Sequence, residues 1–123
     1  MQFDIGYGML LTSDSAGRKP LFILKGEIRT PPFDRAARRE AGDLLRRVQD
    51  GESPGMPHSR PLPTVGSRCH ELRVKDSTHQ WRIVYRIDGD AILVAGIFAK
   101  KGKTMQHQEF KAAAARLAIY DRA

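Results

Sequence analysis

The chain has 123 residues, of which 41% are hydrophobic and 28% charged, and this balance fits one folded domain rather than a disordered or fibrous chain. No apolar run is long enough to span a bilayer, and the single cysteine, Cys69, excludes an intramolecular disulfide, so we expect one cytoplasmic domain over residues 1–123. The net charge of +7 comes almost entirely from Arg60 onward, where twelve basic residues face six acidic ones, and it favours a polyanionic partner: nucleic acid, an anionic membrane or an acidic protein.

The first structured segments are short. Residues 1–19 hold several glycines and polar residues, so we expect a poorly specified lead-in with one short strand. The apolar run 21–24 lies between Pro20 and Gly26 and has the length of a strand. The segment Thr30-Pro31-Pro32 then breaks the chain before a helix.

A helix is predicted from Phe33 to about Asp50. Apolar residues recur there at three- and four-residue spacing: Phe33, Ala36, Ala37, Ala41, Leu44, Leu45 and Val48. The opposite face carries mostly arginines, which is typical of a solvated helix surface. Gly51 supplies the expected end of the helix.

The second half predicts a loop, three strands and a helix. Four prolines between Gly51 and Gly66 exclude a helix or an interior strand there. Strand patterns follow over residues 69–75, 81–87 and 91–99, and the Asp88-Gly89-Asp90 turn predicts a hairpin between the last two. Thr104 is a suitable cap for a final helix with an apolar stripe formed by Phe110, Ala113, Ala114, Leu117 and Tyr120.

These elements define the fold class as α+β. Consecutive strands joined by tight turns pair antiparallel, so we expect a small curved antiparallel sheet. We expect both helices to pack on one face of this sheet and to leave the other face open. Function is then expected on the open face.

Because side chains alternate along a strand, several basic residues are expected on that face. Arg73 and Lys75 point to one side of their strand, away from Leu72 and Val74. On the next strand Arg82 and Arg86 point to the same side, and the third strand ends at Lys100 and Lys101. Neighbouring cations repel one another, so such a cluster indicates an anion such as RNA phosphate. In the alternative interpretation, Arg86 pairs with Asp88 or Asp90, Lys75 pairs with Asp76, and the sheet surface is merely charged.

No pattern predicts a metal or a nucleotide cofactor. The four histidines, His58, His70, His79 and His107, lack the spacing of metal ligands, and no second cysteine accompanies them. No glycine-rich phosphate loop precedes a helix. We therefore expect neither a metal site nor a cofactor.

Three motifs in order carry a family resemblance. They are CHELRVK at 69–75, QWRIVY at 80–85 and GIFAKKGKT at 96–104, preceded by Arg60-Pro61-Leu62. Together they resemble the HigB-like, phage-related branch of the RelE/ParE toxin superfamily. The resemblance implies a RelE-like fold and the toxin of a type II toxin–antitoxin pair. It also implies a metal-independent endoribonuclease that cuts mRNA on the ribosome, and a cognate antitoxin, often of the helix-turn-helix type.

The resemblance also implies roles for the basic residues. Arg73 and Arg82 match the family's cationic residues on adjacent strands and are expected to contact the phosphate and its transition state. Lys100 and Lys101 match its basic pair after the last strand, and Lys101 is a candidate to protonate the leaving oxygen. Backbone contacts are expected from Lys75, Arg86 and Lys103.

One position departs from the family pattern. Several members carry a tyrosine or histidine near the C-terminus, where this chain has Phe110, which can stack on a base but cannot accept a proton. His79 and His107 are then the remaining candidates for acid–base work or RNA contact. Two other functions stay open on the same fold: a ParE-like inhibitor of gyrase, and a non-enzymatic module that binds RNA or an antitoxin.

Overall fold

The computed structural model describes residues 3–4, 8–12, 18–24 and 33–123. The predicted break at Thr30-Pro31-Pro32 and most of the predicted lead-in lie outside the described residues. The elements, in chain order, are β1 (Phe3–Asp4), β2 (Gly8–Thr12), β3 (Leu21–Leu24), α1 (Arg35–Gln49), β4 (Ser59–Pro61), β5 (Cys69–Lys75), β6 (Gln80–Ile87), β7 (Ile92–Ala99) and α2 (Lys103–Arg122). The lead-in region therefore contains two short strands where one was predicted.

The strands form a mixed sheet in the order β1-β2-β3-β7-β6-β5-β4. The pairs β5–β6 and β6–β7 are antiparallel, as their short turns predict. The expectation of a purely antiparallel sheet was wrong, because β3 pairs with β7 in parallel. A helix and three strands separate β3 from β7 in the chain, so no tight turn fixes their relative direction.

The two helices lie on opposite faces of the sheet. Apolar residues of α1 pack with Leu72, Ile83 and other side chains from one face, whereas Ala113 and Leu117 of α2 pack with the residues of the other face. The prediction that both helices cover one face was therefore wrong. The reason lies in β7, whose apolar residues are buried on both of its sides and so need a cover on each.

Helix α1 follows the predicted stripe closely. Phe33 and the α1 residues Ala37, Ala41, Leu44, Leu45 and Val48 are buried, whereas Ala36 is exposed. The Asp34 side chain accepts a hydrogen bond from the Ala37 backbone N–H at 2.9 Å and caps the helix. After the helix, Gly51 has a φ of 91°, a conformation that favours glycine.

Helix α2 begins one residue before the predicted cap. Gly102 is the N-cap and makes no side-chain hydrogen bond, so Thr104 lies inside the helix and the capping prediction was wrong. The proline-rich segment holds β4, which is compatible with its prolines because β4 lies at the edge of the sheet. Within the described residues, neither helix is long and apolar enough to cross a bilayer.

Candidate nucleic-acid interface

A cleft of about 500 Å³ opens where β5 ends and β6 begins. Its lining brings together basic and polar side chains from both halves of the chain: Glu40, Pro57, His58, Arg73, Val74, Lys75, Gln80, Arg82 and Lys100. Four of the predicted site residues, Arg73, Lys75, Arg82 and Lys100, thus share one cavity wall. The convergence of these cations is the main feature that the sequence predicted for the site.

Strand pairing explains this convergence. Arg73 lies opposite Arg82, and Lys75 lies opposite Gln80, in the antiparallel β5–β6 ladder. The backbone N–H of Lys100 donates to the Gln80 carbonyl at 2.7 Å, which holds the end of β7 beside the start of β6. Basic residues that are far apart in the chain therefore line one short stretch of sheet.

The proline-rich segment completes the cleft. The backbone N–H of Arg73 donates to the His58 carbonyl at 2.8 Å, so the residue just before β4 is fixed beside β5. His58 is exposed and its side chain adds an imidazole to the cationic wall. Glu40, on the exposed face of α1, contributes a carboxylate to the same lining.

A buried carboxylate lies beside the arginines of the cleft. Glu71 has no exposed surface, and its Oε1 atom accepts from Arg60 Nε at 3.0 Å and from Arg73 Nε at 3.3 Å. Its Oε2 atom is 3.7 Å from Arg82 Nε and has no hydrogen-bond partner. Glu71 thus offsets part of the positive charge that the three guanidinium groups bring together.

Arg82 is less accessible than the sequence suggested. The expectation that it is exposed on an open face was wrong, because only 6% of the residue is exposed. It lies opposite Phe98 in the β6–β7 ladder, and Phe98 belongs to the core under α2. Burial, together with the charges of Arg73 and Arg60, lowers the pKa of Arg82, whereas Glu71 acts in the opposite direction.

Arg86 lies outside the cleft. Its guanidinium donates to both carboxylate oxygens of Asp88, at 2.8 and 3.0 Å, and to both of Asp121, at 3.0 and 2.7 Å. These bonds raise the pKa of Arg86 further above its usual range. The alternative interpretation, in which Arg86 pairs with Asp88, is therefore confirmed. The second pairing of Arg86, with Asp121 of α2, was not predicted.

The other predicted site residues also do not line the cleft. His79 is in the β5–β6 turn, where its Nδ1 is 2.7 Å from the Thr78 hydroxyl and its ring lies against Trp81. Phe110 is half-buried and meets Phe98 edge to face, with ring centroids 5.9 Å apart. Exposed positions are found for Lys101, Lys103 and His107.

Three cleft residues were missed by the sequence reasoning. Glu40 is on a helix face that was interpreted as solvated, and His58 is in a segment that was interpreted as a loop. Gln80 begins β6 and carries no charge. No sequence signal distinguishes Glu40 from its charged neighbours, but the position of His58 next to the Arg60-Pro61-Leu62 motif was a usable signal.

No metal centre is found in the part of the chain that the structure describes: no three His, Cys, Asp or Glu side chains are grouped to hold an ion. The cleft is instead a cationic surface with one imidazole and one carboxylate at its rim. Such a lining can hold a phosphodiester, stabilise added negative charge and exchange protons.

A small α+β domain with a cationic cleft at a sheet edge is compatible with a protein that acts on nucleic acid. The family described as "Phage derived protein Gp49-like (DUF891)" matches residues 31–118, and the chain belongs to this family. It is a RelE/toxin-like family of toxin–antitoxin systems. No curated protein and no solved structure matches the chain significantly. The matched range includes every residue that lines the cleft.

Proposed function

We propose that this chain is a HigB-like toxin that cleaves mRNA on the ribosome without a metal ion. The observation that carries the proposal is the cleft in which Arg73, Lys75, Arg82 and Lys100 meet His58. Membership of a toxin family supports the biological role, and the cationic lining supports RNA as the target. The cluster of like charges indicates an anionic ligand, and RNA supplies one phosphate per nucleotide.

The proposed reaction uses a nucleophile from the RNA itself. The 2′-hydroxyl attacks the adjacent phosphorus, so a bond forms between O2′ and phosphorus while the bond from phosphorus to O5′ breaks. The products are a 2′,3′-cyclic phosphate and a 5′-hydroxyl. Arg73 and Arg82 lie side by side on neighbouring strands, where they can hold the extra negative charge of the transition state.

Two protons have to move in this reaction. His58 is the cleft residue best suited to accept the proton of the 2′-hydroxyl, because an imidazole nitrogen can act as a general base. Lys100 lines the cleft and can protonate the leaving O5′, a role for which the sequence favoured Lys101. Lys75 holds the flanking backbone.

An antitoxin is the expected protein partner, since the chain belongs to a toxin–antitoxin family. We propose a helix-turn-helix antitoxin that lays an acidic segment over the cleft cations. This contact would relieve their mutual repulsion and exclude RNA at the same time. Reversal of the charges at Lys100 and Lys101 should then weaken the antitoxin complex, and an unchanged affinity would favour a blockade by bulk elsewhere.

The decisive experiment maps mRNA 5′ ends on purified ribosomes that translate a defined message. We expect the wild-type chain to cut at ribosome-occupied codons and to cut the same RNA much more slowly without ribosomes. Arg73→Ala should lower the cleavage rate at least about 100-fold, the loss typical of one transition-state donor. Arg122→Ala, an exposed arginine at the end of α2, is the matched control and should cut at the wild-type rate.

Other outcomes would point to the alternative functions. Intact mRNA together with inhibited DNA supercoiling would assign the chain to the gyrase inhibitors. RNA binding without cleavage or gyrase inhibition would leave a binding module. Cleavage by Arg73→Ala at the wild-type rate would show that the cleft is not the active site.

A further inference from the structure

Glu71 is a fully buried carboxylate inside a cationic site, and the proposed reaction gives it no role. It lies in the middle of β5 and pairs with Val84 of β6, so it cannot leave without disturbing the sheet. Burial of a charge costs free energy unless opposite charges and hydrogen bonds compensate for it. The compensating groups here are Arg60, Arg73 and Arg82.

The contacts of Glu71 all involve the Nε atoms of these arginines. Oε1 accepts from Arg60 Nε and Arg73 Nε, and Oε2 faces Arg82 Nε at 3.7 Å. Within the described residues, Glu71 Oε2 is the one buried side-chain polar atom without a hydrogen-bond partner, and Arg73 and Arg82 make no hydrogen bond through their terminal nitrogens. Arg73 and Arg82 also line the cleft, where a phosphate would lie.

This geometry differs from that of a carboxylate that only stabilises the fold. Asp88 and Asp121 both bind Arg86 through two oxygens, and together they occupy its Nε and both terminal nitrogens. Glu71 instead leaves one of its own oxygens unpaired and leaves the terminal nitrogens of its cleft arginines available.

We propose that Glu71 is a positioning residue that aims Arg73 and Arg82 at the scissile phosphate. Its carboxylate lies against the Nε atom of each guanidinium. The negative charge of Glu71 also reduces the repulsion between the neighbouring arginines. This inference rests on the proposed ribonuclease function and deepens it. Glu71 itself touches no substrate, because it has no exposed surface.

The proposal predicts that binding and catalysis respond differently to one substitution. Glu71→Gln has nearly the same shape but removes the negative charge, so the cleft becomes more cationic and should bind RNA at least as tightly. The amide group holds the arginines less firmly, because charged hydrogen bonds are about twice as strong as neutral ones. We expect kcat to fall at least about 10-fold while KM stays the same or decreases.

Asp121→Asn is the matched control. It also removes an arginine-paired carboxylate, but at Arg86 and away from the cleft. It should weaken folding and leave both kcat and KM at wild-type values. If Glu71 were only structural, both substitutions would lower the fraction of folded protein and leave the kinetics of the folded fraction unchanged.

The kinetics are measured with ribosome-bound mRNA, and circular dichroism gives the folded fraction. A wild-type kcat for Glu71→Gln would overturn the positioning role while the function itself stood. A wild-type chain that does not cut would instead overturn the proposed function. If Glu71→Gln does not fold, Glu71→Asp replaces it, since the shorter carboxylate keeps the charge but cannot reach all three arginines; a wild-type kcat would again overturn the role.

A second measurement needs no variant. The Nε–H proton of Arg73 should exchange with water much more slowly in NMR spectra than that of the exposed Arg122, because Arg73 Nε donates a hydrogen bond to Glu71 Oε1. Exchange as fast as that of Arg122 would contradict the proposal whatever the cleavage assays show.

Discussion

Asp76 fixes the turn between β5 and β6. Its carboxylate accepts hydrogen bonds from the backbone N–H groups of Thr78 at 2.9 Å and His79 at 2.7 Å, and from the Trp81 indole at 2.8 Å. The Trp81 indole, followed by these backbone groups, holds the pKa of Asp76 far below its usual range. The turn therefore depends on the ionised form of one side chain, next to the cleft-lining ends of both strands.

Asp76→Asn should make the protein less stable at neutral pH, and this loss of stability should become smaller in acid. A carboxyl group whose pKa is lower in the folded state stabilises that state above its unfolded pKa of about 3.9, and this contribution disappears as the pH falls. The thermal unfolding midpoints of wild type and variant should therefore differ most at pH 7, and the difference should shrink progressively as the pH falls below about 4. Asp90→Asn, in the β6–β7 turn, is the control, and a constant difference between pH 7 and pH 3 would contradict the role of Asp76.

At the residue scale, the alternation of side chains along the strands could be predicted from the sequence, whereas the burial of individual charged residues could not. The pairing of Arg73 with Arg82 follows from period-2 alternation and a short turn, both of which are visible in the sequence. The burial of Arg82 is not visible there, because it depends on Phe98, which comes from another strand, and on the core under α2. For the same reason the sequence did not indicate that Glu71 is enclosed.

At the scale of elements, α2 is held near its middle and near its C-terminal end by different kinds of contact. Near its middle, the Arg116 guanidinium donates to the Ala95 carbonyl of β7 at 2.8 Å, and Ala113 packs close to Gly96. Near its C-terminal end, Asp121 accepts two hydrogen bonds from Arg86 of β6. These contacts fix the helix across β6 and β7.

Asp121→Asn should destabilise the protein by about 1 kcal/mol, since hydrogen bonds to charged groups contribute more than that when buried and Asp121 is half exposed. Guanidinium chloride unfolding should show a lower midpoint with an unchanged m-value. Lys111→Ala, on the exposed side of the same helix, should leave the midpoint within experimental error. An Asp121→Asn midpoint equal to that of wild type would show that Asp88 alone satisfies Arg86.

The helices and hairpins could be predicted because their signals are local. The stripe of α1, the Asp-Gly turn and the lengths of β5 to β7 all appear in short windows of sequence. The placement of α2 on the opposite face is not local information. It could still have been inferred from β7, because a strand that is apolar on both sides indicates that other elements pack on both faces of the sheet.

At the scale of the whole molecule, the sheet joins segments that are far apart in the chain. The parallel pairing of Leu21 with Ile92 and Phe22 with Leu93 joins residues about 70 positions apart. No sequence pattern within either strand specifies this partner, so the mixed character of the sheet could not be predicted. The cleft could be predicted in large part, because most of it lies within the contiguous β5–β7 meander and only Glu40, Pro57 and His58 come from elsewhere.

The position of β7 in the sheet also has a consequence for protein synthesis. β7 is the middle strand of the seven, yet it is completed only at Ala99. A nascent chain interrupted before that residue lacks the strand that joins β3 to β6, and it also lacks α2 and Lys100. We expect a chain that stops at Asp90 to show no cooperative unfolding and to leave cells growing normally, whereas growth arrest by this fragment would contradict the expectation. A chain that ends before Ala99 should therefore be no target for an antitoxin, because it lacks both the central strand of the sheet and Lys100.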